Sequence, residues 1–238
     1  MRLDQWLSQA TGLSRSQAQR LIRQGAITLH TQVLKNPSQH IDPYEPIELE
    51  HNRITLPQPL YLMLNKPQDV VSATVDAHQR TVLDLVEHPH RHTLHVVGRL
   101  DKDTTGLLLL TSDGDWSHRI TAPRKQVGKT YLVMLAKPLS TQALIQLRQG
   151  VLLQGEKRPT SPALIEVLEK ELIRLTIYEG MYHQVKRMLA VVGNEVLKLH
   201  RECIGDLQLD QQLPLGEWRE LSVTERALPL DNTLSITD

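Results

Sequence analysis

Residues 98 to 114 read Gly-Arg-Leu-Asp-Lys-Asp-Thr-Thr-Gly-Leu-Leu-Leu-Leu-Thr-Ser-Asp-Gly. Asp101 follows Arg99 by two positions, a Thr-Thr-Gly turn comes next, and Leu107 to Leu110 form an unbroken apolar run. A short apolar run bounded by turn residues reads as a strand buried on both faces. Asp101 is then held on a loop at the edge of a rigid core. A carboxylate displayed in this way suits nucleophilic or acid–base work, and equally the plain role of capping a turn. Asp103 raises a two-carboxylate glycosidase as an alternative. Side chains two apart on an extended segment share a face, however, and lie too near each other for the opposed geometry that chemistry needs. His88, His90 and His92 alternate as on one face of a strand, with His95 following, which makes a metal conceivable. Pro89 and Arg91 interrupt it, so a solvated loop is the reading preferred.

Three more segments carry unusual chemistry: Asn65-Lys66-Pro67, Lys129-Thr130-Tyr131-Leu132-Val133, and Glu179 to Met188, which reads Glu-Gly-Met-Tyr-His-Gln-Val-Lys-Arg-Met. With the Gly-Arg-Leu-Asp stretch, and in this order and spacing, they resemble the motifs of the RsuA-type pseudouridine synthases, a family that modifies ribosomal RNA. The likeness runs from Met1 to about Leu228. It implies that Asp101 is the nucleophile, that Tyr131 lies against the target base, and that Lys186 pairs with the carboxylate, with Arg99 as a second candidate cation. It implies isomerisation of a uridine to pseudouridine in 16S ribosomal RNA, on a flipped-out base. That reaction uses no cofactor and no metal. Large-subunit ribosomal RNA as target, or a non-catalytic RNA-binding assembly factor, are the alternatives. Two positions depart from the pattern: Asp69 stands where Gly is usual, and Met181 where Arg is common.

The physics suits those roles. A nucleophilic carboxylate partly shielded from water needs a neighbouring cation to stay charged. A stacked uracil is out of reach, so it must be flipped, and an aromatic face such as that of Tyr131 holds it with about 1–3 kcal/mol of stacking.

The elements that must position these groups divide the chain in two. Leu3, Trp6 and Leu7 have helical spacing. Ser14 followed by Gln17 is a capping box that opens a second helix, which carries Ala18, Leu21 and Ile22 inward and ends at Gly25. Short strands are expected over Ala26–Leu29, Gln32–Leu34 and Pro46–Glu50. This resembles the S-four-like RNA-binding domain and sets it at residues 1–50. Residues 51–60, with Pro57 and Pro59, read as a stiff linker. The catalytic domain is expected over 61–230 and a disordered tail over 231–238. Strands are expected over Tyr61–Asn65, Leu107–Thr111, Thr130–Leu135, Leu172–Ile177 and Glu195–His200. Helices are expected over Thr81–His88, Asp115–Thr121, Thr141–Gln149 and His183–Val192. Strands and helices do not alternate regularly, which argues against a doubly wound parallel sheet. The expected class is α+β, with a mixed, mainly antiparallel sheet and flanking helices: the pseudouridine synthase fold.

Composition sets the partners. The chain has 238 residues, with 27 basic and 27 acidic side chains and no net charge. The signs are segregated. Gln5 to Ile41 contains no acid but holds Arg15, Arg20, Arg23 and Lys35, and Trp116 to Gly155 again contains none against Arg119, Arg124, Lys125 and Lys129. Lys186, Arg187, Lys198 and Arg201 form a third basic group, while acids gather near the C-terminus. Segregation of this kind points to a basic face for a polyanion. The RNA-binding candidates are therefore Arg15, Arg20, Arg23, Lys35, Arg119, Arg124, Lys125, Lys129 and Arg187. Aromatics make up 3% of the chain, too few for a binder built from rows of stacking platforms. Nucleotide-binding glycine motifs, repeats, a signal-peptide core and a run of roughly 18 apolar residues are missing from the sequence. Cys203 is the single cysteine, which leaves no internal disulfide. These features predict a cytoplasmic monomer whose partner is 16S ribosomal RNA, naked or in a partly assembled small subunit.

Overall fold

A computed structural model describes residues 1–230; the tail expected at 231–238 lies outside the described residues. The chain forms two compact units.

The first unit contains Met1–Pro59 and Glu87–Leu94. Helix α1 (Leu3–Thr11) and helix α2 (Arg15–Gln24) precede strands β1 (Ile27–Leu29), β2 (Gln32–Leu34), β3 (Ile47–Leu49) and β4 (Asn52–Arg53), which form an antiparallel sheet in the order β2-β1-β3-β4. The capping box is present: Ser14 Oγ accepts from Gln17 N, and Gln17 Oε1 accepts from Ser14 N. Gly25 ends α2 at φ 82°, the left-handed conformation expected of a terminal glycine. Leu3, Trp6, Leu7, Ala18, Ile22, Ile27 and Ile47 are fully buried, each large apolar side chain contributing on the order of 2 kcal/mol. The linker expected from residue 51 begins later. Asn52–Arg53 pairs with β3, Ile54 N donates to Ile47 O, and Ile54 and Leu56 pack on this core.

The second unit is built on a nine-stranded mixed sheet. In chain order its elements are β5 (Tyr61–Lys66), β6 (His95–Val97), β7 (Thr105–Thr111), α3 (Gly114–Thr121), β8 (Lys129–Leu135), α4 (Thr141–Gln149), β9 (Leu164–Glu169), β10 (Leu172–Ile177), α5 (Gln184–Val191), β11 (Val196–Ile204), β12 (Leu207–Gln208) and β13 (Trp218–Glu220). The main order is β13-β5-β7-β11-β8-β10-β9, with β6 beside β7 and β12 beside β11. Every pairing is antiparallel except β7–β11. Leu107 to Leu110 are all fully buried, which explains why their run is continuous rather than alternating. Leu107 and Leu109 join Met63, Trp116, Ile120 and Ile204 in one core.

Candidate active site

The site is a cleft of about 650 Å³ within the second unit. Asp101 lies in the turn between residue 100 and β7, and several contacts fix that turn. Thr104 N donates to Asp101 O at 3.1 Å. Ser72 grips Leu100 twice, its hydroxyl donating to Leu100 O at 2.7 Å and accepting from Leu100 N at 3.1 Å. Lys66, fully buried at the end of β5, donates its ammonium to the carbonyls of Pro67, Lys102 and Thr104 at 2.9, 3.2 and 3.0 Å. Burial pushes the Lys66 amine down to about 8, while Asp103, Asp101 and Asp69 pull it the other way. Asp69 has φ 62°, the conformation that favours glycine, and its N–H donates to Lys102 O. Asp is among the side chains that tolerate that conformation, so the departure at this position leaves the loop in place.

The partners of the carboxylate come from α5 and the loop before it. Lys186 Nζ lies 3.3 Å from Asp101 Oδ2 and 2.5 Å from Asp103 Oδ1, bridging both carboxylates. Burial works against its charge, but the two carboxylates outweigh it and hold the amine above its ordinary range. The hydrogen bond from Lys186 keeps Asp103 below the usual carboxylate range. His183 Nε2 lies 3.5 Å from Asp101 Oδ1. His183 takes φ 46°, and its ring stacks on Tyr182 at 3.8 Å. Glu179 and Gln184 brace the loop: Gln184 Nε2 donates to Glu179 Oε1 and Gln184 Oε1 accepts from Met181 N.

Tyr131, on β8, is 7% exposed and lines the same cleft. Arg201 of β11 stands opposite it in the strand register and also opposite Gly106 of β7. Arg201 is buried, and its Nε donates to Leu107 O at 2.8 Å. The sequence had grouped it with surface cations.

The remaining candidates separate clearly. Arg99 is exposed and lines the cleft, but makes no ion pair among the described residues; the cation beside Asp101 is Lys186, with the His183 ring on the other carboxylate oxygen. Arg20, Arg23, Lys35, Arg119, Arg124 and Lys125 are exposed. The turn Pro123–Lys125 borders the cleft through Pro123. Three candidates are engaged elsewhere. Arg15 pairs with the buried Asp4 at 2.9 Å. Arg187 ties down Tyr182 O, Gln154 O and Glu156. Lys129 lines the cleft rather than an outer face and donates to Val127 O. Burial, helped by the Arg201 charge, pushes the Lys129 amine down to about 8. Sequence reasoning gave no role to His183, Lys66, Ser72 or Arg201. The first two lie inside quoted motifs, but their contacts arise only on folding.

The chain combines a small unit carrying exposed arginines with a mixed-sheet unit whose cleft holds an ion-paired carboxylate and a buried tyrosine, features that suit an enzyme acting on nucleic acid. Residues 60–191 match the RNA pseudouridylate synthase family and residues 1–45 match the S4 domain. The chain is 47% identical to ribosomal small subunit pseudouridine synthase A of Yersinia pestis, over 95% of this chain and 97% of the relative. It is 46% identical to the protein of that name from Escherichia coli K12, over 95% and 99%. A crystal structure of a pseudouridylate synthase superposes with a TM-score of 0.72 at 44% identity, covering 96% of this chain and 99% of that one. The chain belongs to the RNA pseudouridylate synthase family and is an RNA pseudouridine synthase.

Proposed function

We propose that this enzyme isomerises one uridine of small-subunit (16S) ribosomal RNA to pseudouridine, with Asp101 as nucleophile. The target is supported by the names of relatives that match nearly the whole chain at 46–47% identity. The nucleophile is supported by one observation above the others: Asp101 sits in a cleft with Lys186 at 3.3 Å and Tyr131 on its wall. In the reaction Asp101 bonds transiently to the nucleotide and the bond from C1′ to N1 breaks; the base turns, C5 bonds to C1′, and the bond to Asp101 breaks to free the carboxylate. The C5 proton leaves to solvent, and N1 ends protonated. Lys186, 3.3 Å from Asp101 Oδ2, sets a cation against the carboxylate, and His183 lies 3.5 Å from its other oxygen. Tyr131 holds the flipped base by its face.

The test uses small- and large-subunit ribosomal RNA transcripts carrying tritium at uracil C5. Release from the small-subunit RNA alone is expected. Asp101→Asn should abolish release while leaving RNA affinity within a few-fold. Release only from large-subunit RNA would overturn the target, and a turning-over Asp101→Asn variant would overturn the nucleophile. Release from neither, on naked RNA or on partly assembled subunits, would bring the non-catalytic reading forward.

A further inference from the structure

Three residues that line the cleft each carry a buried polar atom without a hydrogen-bond partner among the described residues: Arg201 Nη2, Tyr178 Oη and Thr104 Oγ1. Arg201 and Thr104 are each 1% exposed. A buried donor without a partner costs free energy, and folded proteins keep few of them. Here three share one cleft, and that cleft also holds Asp101 and Tyr131.

Arg201 is fixed in place. Its backbone is locked between β7 and β8, and its Nε is engaged by Leu107 O. Residues directly opposite across strands project from the same face of a sheet, so Arg201 stands beside Tyr131. A base lying on the Tyr131 ring would turn an edge towards the guanidinium. Arg carries only donors, so Nη2 must meet an acceptor, whereas the two hydroxyls can donate or accept. Lys186 and His183 already lie against the nearby carboxylate, and a carbonyl oxygen of the substrate base is an acceptor that Nη2 can take.

We propose that Arg201, with Tyr178 and Thr104, binds the O2–N3–O4 edge of the flipped uracil and makes the site selective for uracil. The assignment rests on the pseudouridine synthase reading above. Uracil presents acceptor, donor, acceptor along this edge. A half-turn about the N3–C6 axis exchanges N1 with C5 and O2 with O4, and the edge reads the same afterwards. One fixed set of partners therefore holds the base before and after it turns. Cytosine presents acceptor, acceptor, donor. Turning it brings its amino group against the guanidinium, donor to donor, and the site rejects it.

The experiment follows tritium release in single turnovers from small-subunit transcripts made with uridine, 2-thiouridine or 4-thiouridine. Sulfur is a poor acceptor, so it weakens one edge contact at a time. Wild type should lose on the order of tenfold in rate with at least one thio base. Arg201→Met should be slowed on uridine by roughly 10- to 100-fold, bind RNA within about threefold of wild type, and lose that thio penalty. A merely structural role for Arg201 would leave the thio penalty intact in the variant, and that result overturns the assignment. So does a wild type indifferent to both thio bases. Should thermal unfolding show Arg201→Met to be misfolded, Tyr178→Phe carries the same comparison, since it removes one oxygen. It should slow release and reduce one of the two thio penalties, and unchanged penalties overturn the proposal. Absence of wild-type release from every uridine transcript defeats the reaction itself, a result distinct from normal release without thio sensitivity.

Discussion

Two amines of the site are shifted in opposite directions. Lys186 faces two carboxylates, which hold its amine above its ordinary range, so it is charged beside Asp101 at neutral pH. Lys129 has desolvation and the Arg201 charge against it, and its amine is pushed down to about 8. A depressed amine is charged below that pH and neutral above it. If Lys129 meets the substrate as a cation, its help fades as pH rises through about 8, so the KM for RNA should climb between roughly pH 7 and 9. In Lys129→Arg, whose guanidinium stays protonated, the climb should flatten. Its persistence would assign the titration to Lys66, whose amine is also pushed down to about 8. At this scale the sequence was partly legible. Asp101, Tyr131 and Lys186 stand in ordered motifs, and the fold brings all three to one cleft. Lys66 and Arg201 act through contacts to residues about 36 to 94 positions away. Neither spacing nor composition carries information about contacts of that range.

The elements show why the carboxylate loop has to be where it is. β7 and β11 pair in parallel, with Arg201 opposite Gly106. Gly106 has φ 102°, and a Cβ there would run into the backbone of Arg201, with its N at 2.7 Å and its carbonyl oxygen nearer still. Gly106→Ala must part the two strands or distort the turn that leads back to Asp101. It should cost at least about 2 kcal/mol of stability, because both the left-handed φ and the backbone contact oppose it. The measurement is chemical denaturation of the variant beside wild type. An unperturbed midpoint would mean that the junction relaxes freely. Most elements were legible. Thr141–Gln149 and Leu172–Ile177 fall where the pattern put them, and the other expected strands of this unit shift by a few residues at most. The helix expected over Thr81–His88 is instead a single tight turn, Val82–Leu85. Asp84 accepts from Thr81 N and Oγ1, closing a capping box around that turn, and the periodicity beyond it was too short to propagate. Strand β9 went unseen because only Ile165 along it is buried. An edge strand without alternation has no signature to read.

Across the whole molecule the charges sum to zero, so affinity for a polyanion must come from where the cations stand. The small unit shows how they are sorted. Asp4 is fully buried and takes hydrogen bonds from Arg2, Arg15 and Gln19, which hold its carboxyl far below the ordinary range. Arg15 is thus tied to the fold, while Arg20 and Arg23 on the same helix stand exposed. Counterion release links each phosphate contact to a salt slope of about 0.7 to 0.9, depending on whether the RNA is single- or double-stranded. If Arg20 and Arg23 each meet one phosphate, the double variant Arg20→Gln/Arg23→Gln should flatten the plot of log affinity against log salt by about 1.4 to 1.8. Arg15→Gln should act differently. It removes one of the partners that keep Asp4 charged in the interior, so its main effect is a lower unfolding temperature of this unit, with little change in slope. Fluorescence anisotropy with a small-subunit RNA fragment across a salt series, paired with thermal unfolding, separates the two effects. An unchanged slope in the double variant would take α2 off the RNA. A slope lost in Arg15→Gln at unchanged stability would mean that the Asp4 pair opens to let the arginine reach a phosphate. The rate of tritium release at saturating RNA should be the same in both variants. Their arginines hold the substrate near the enzyme, whereas the chemistry depends on Asp101, Lys186 and the walls of the cleft.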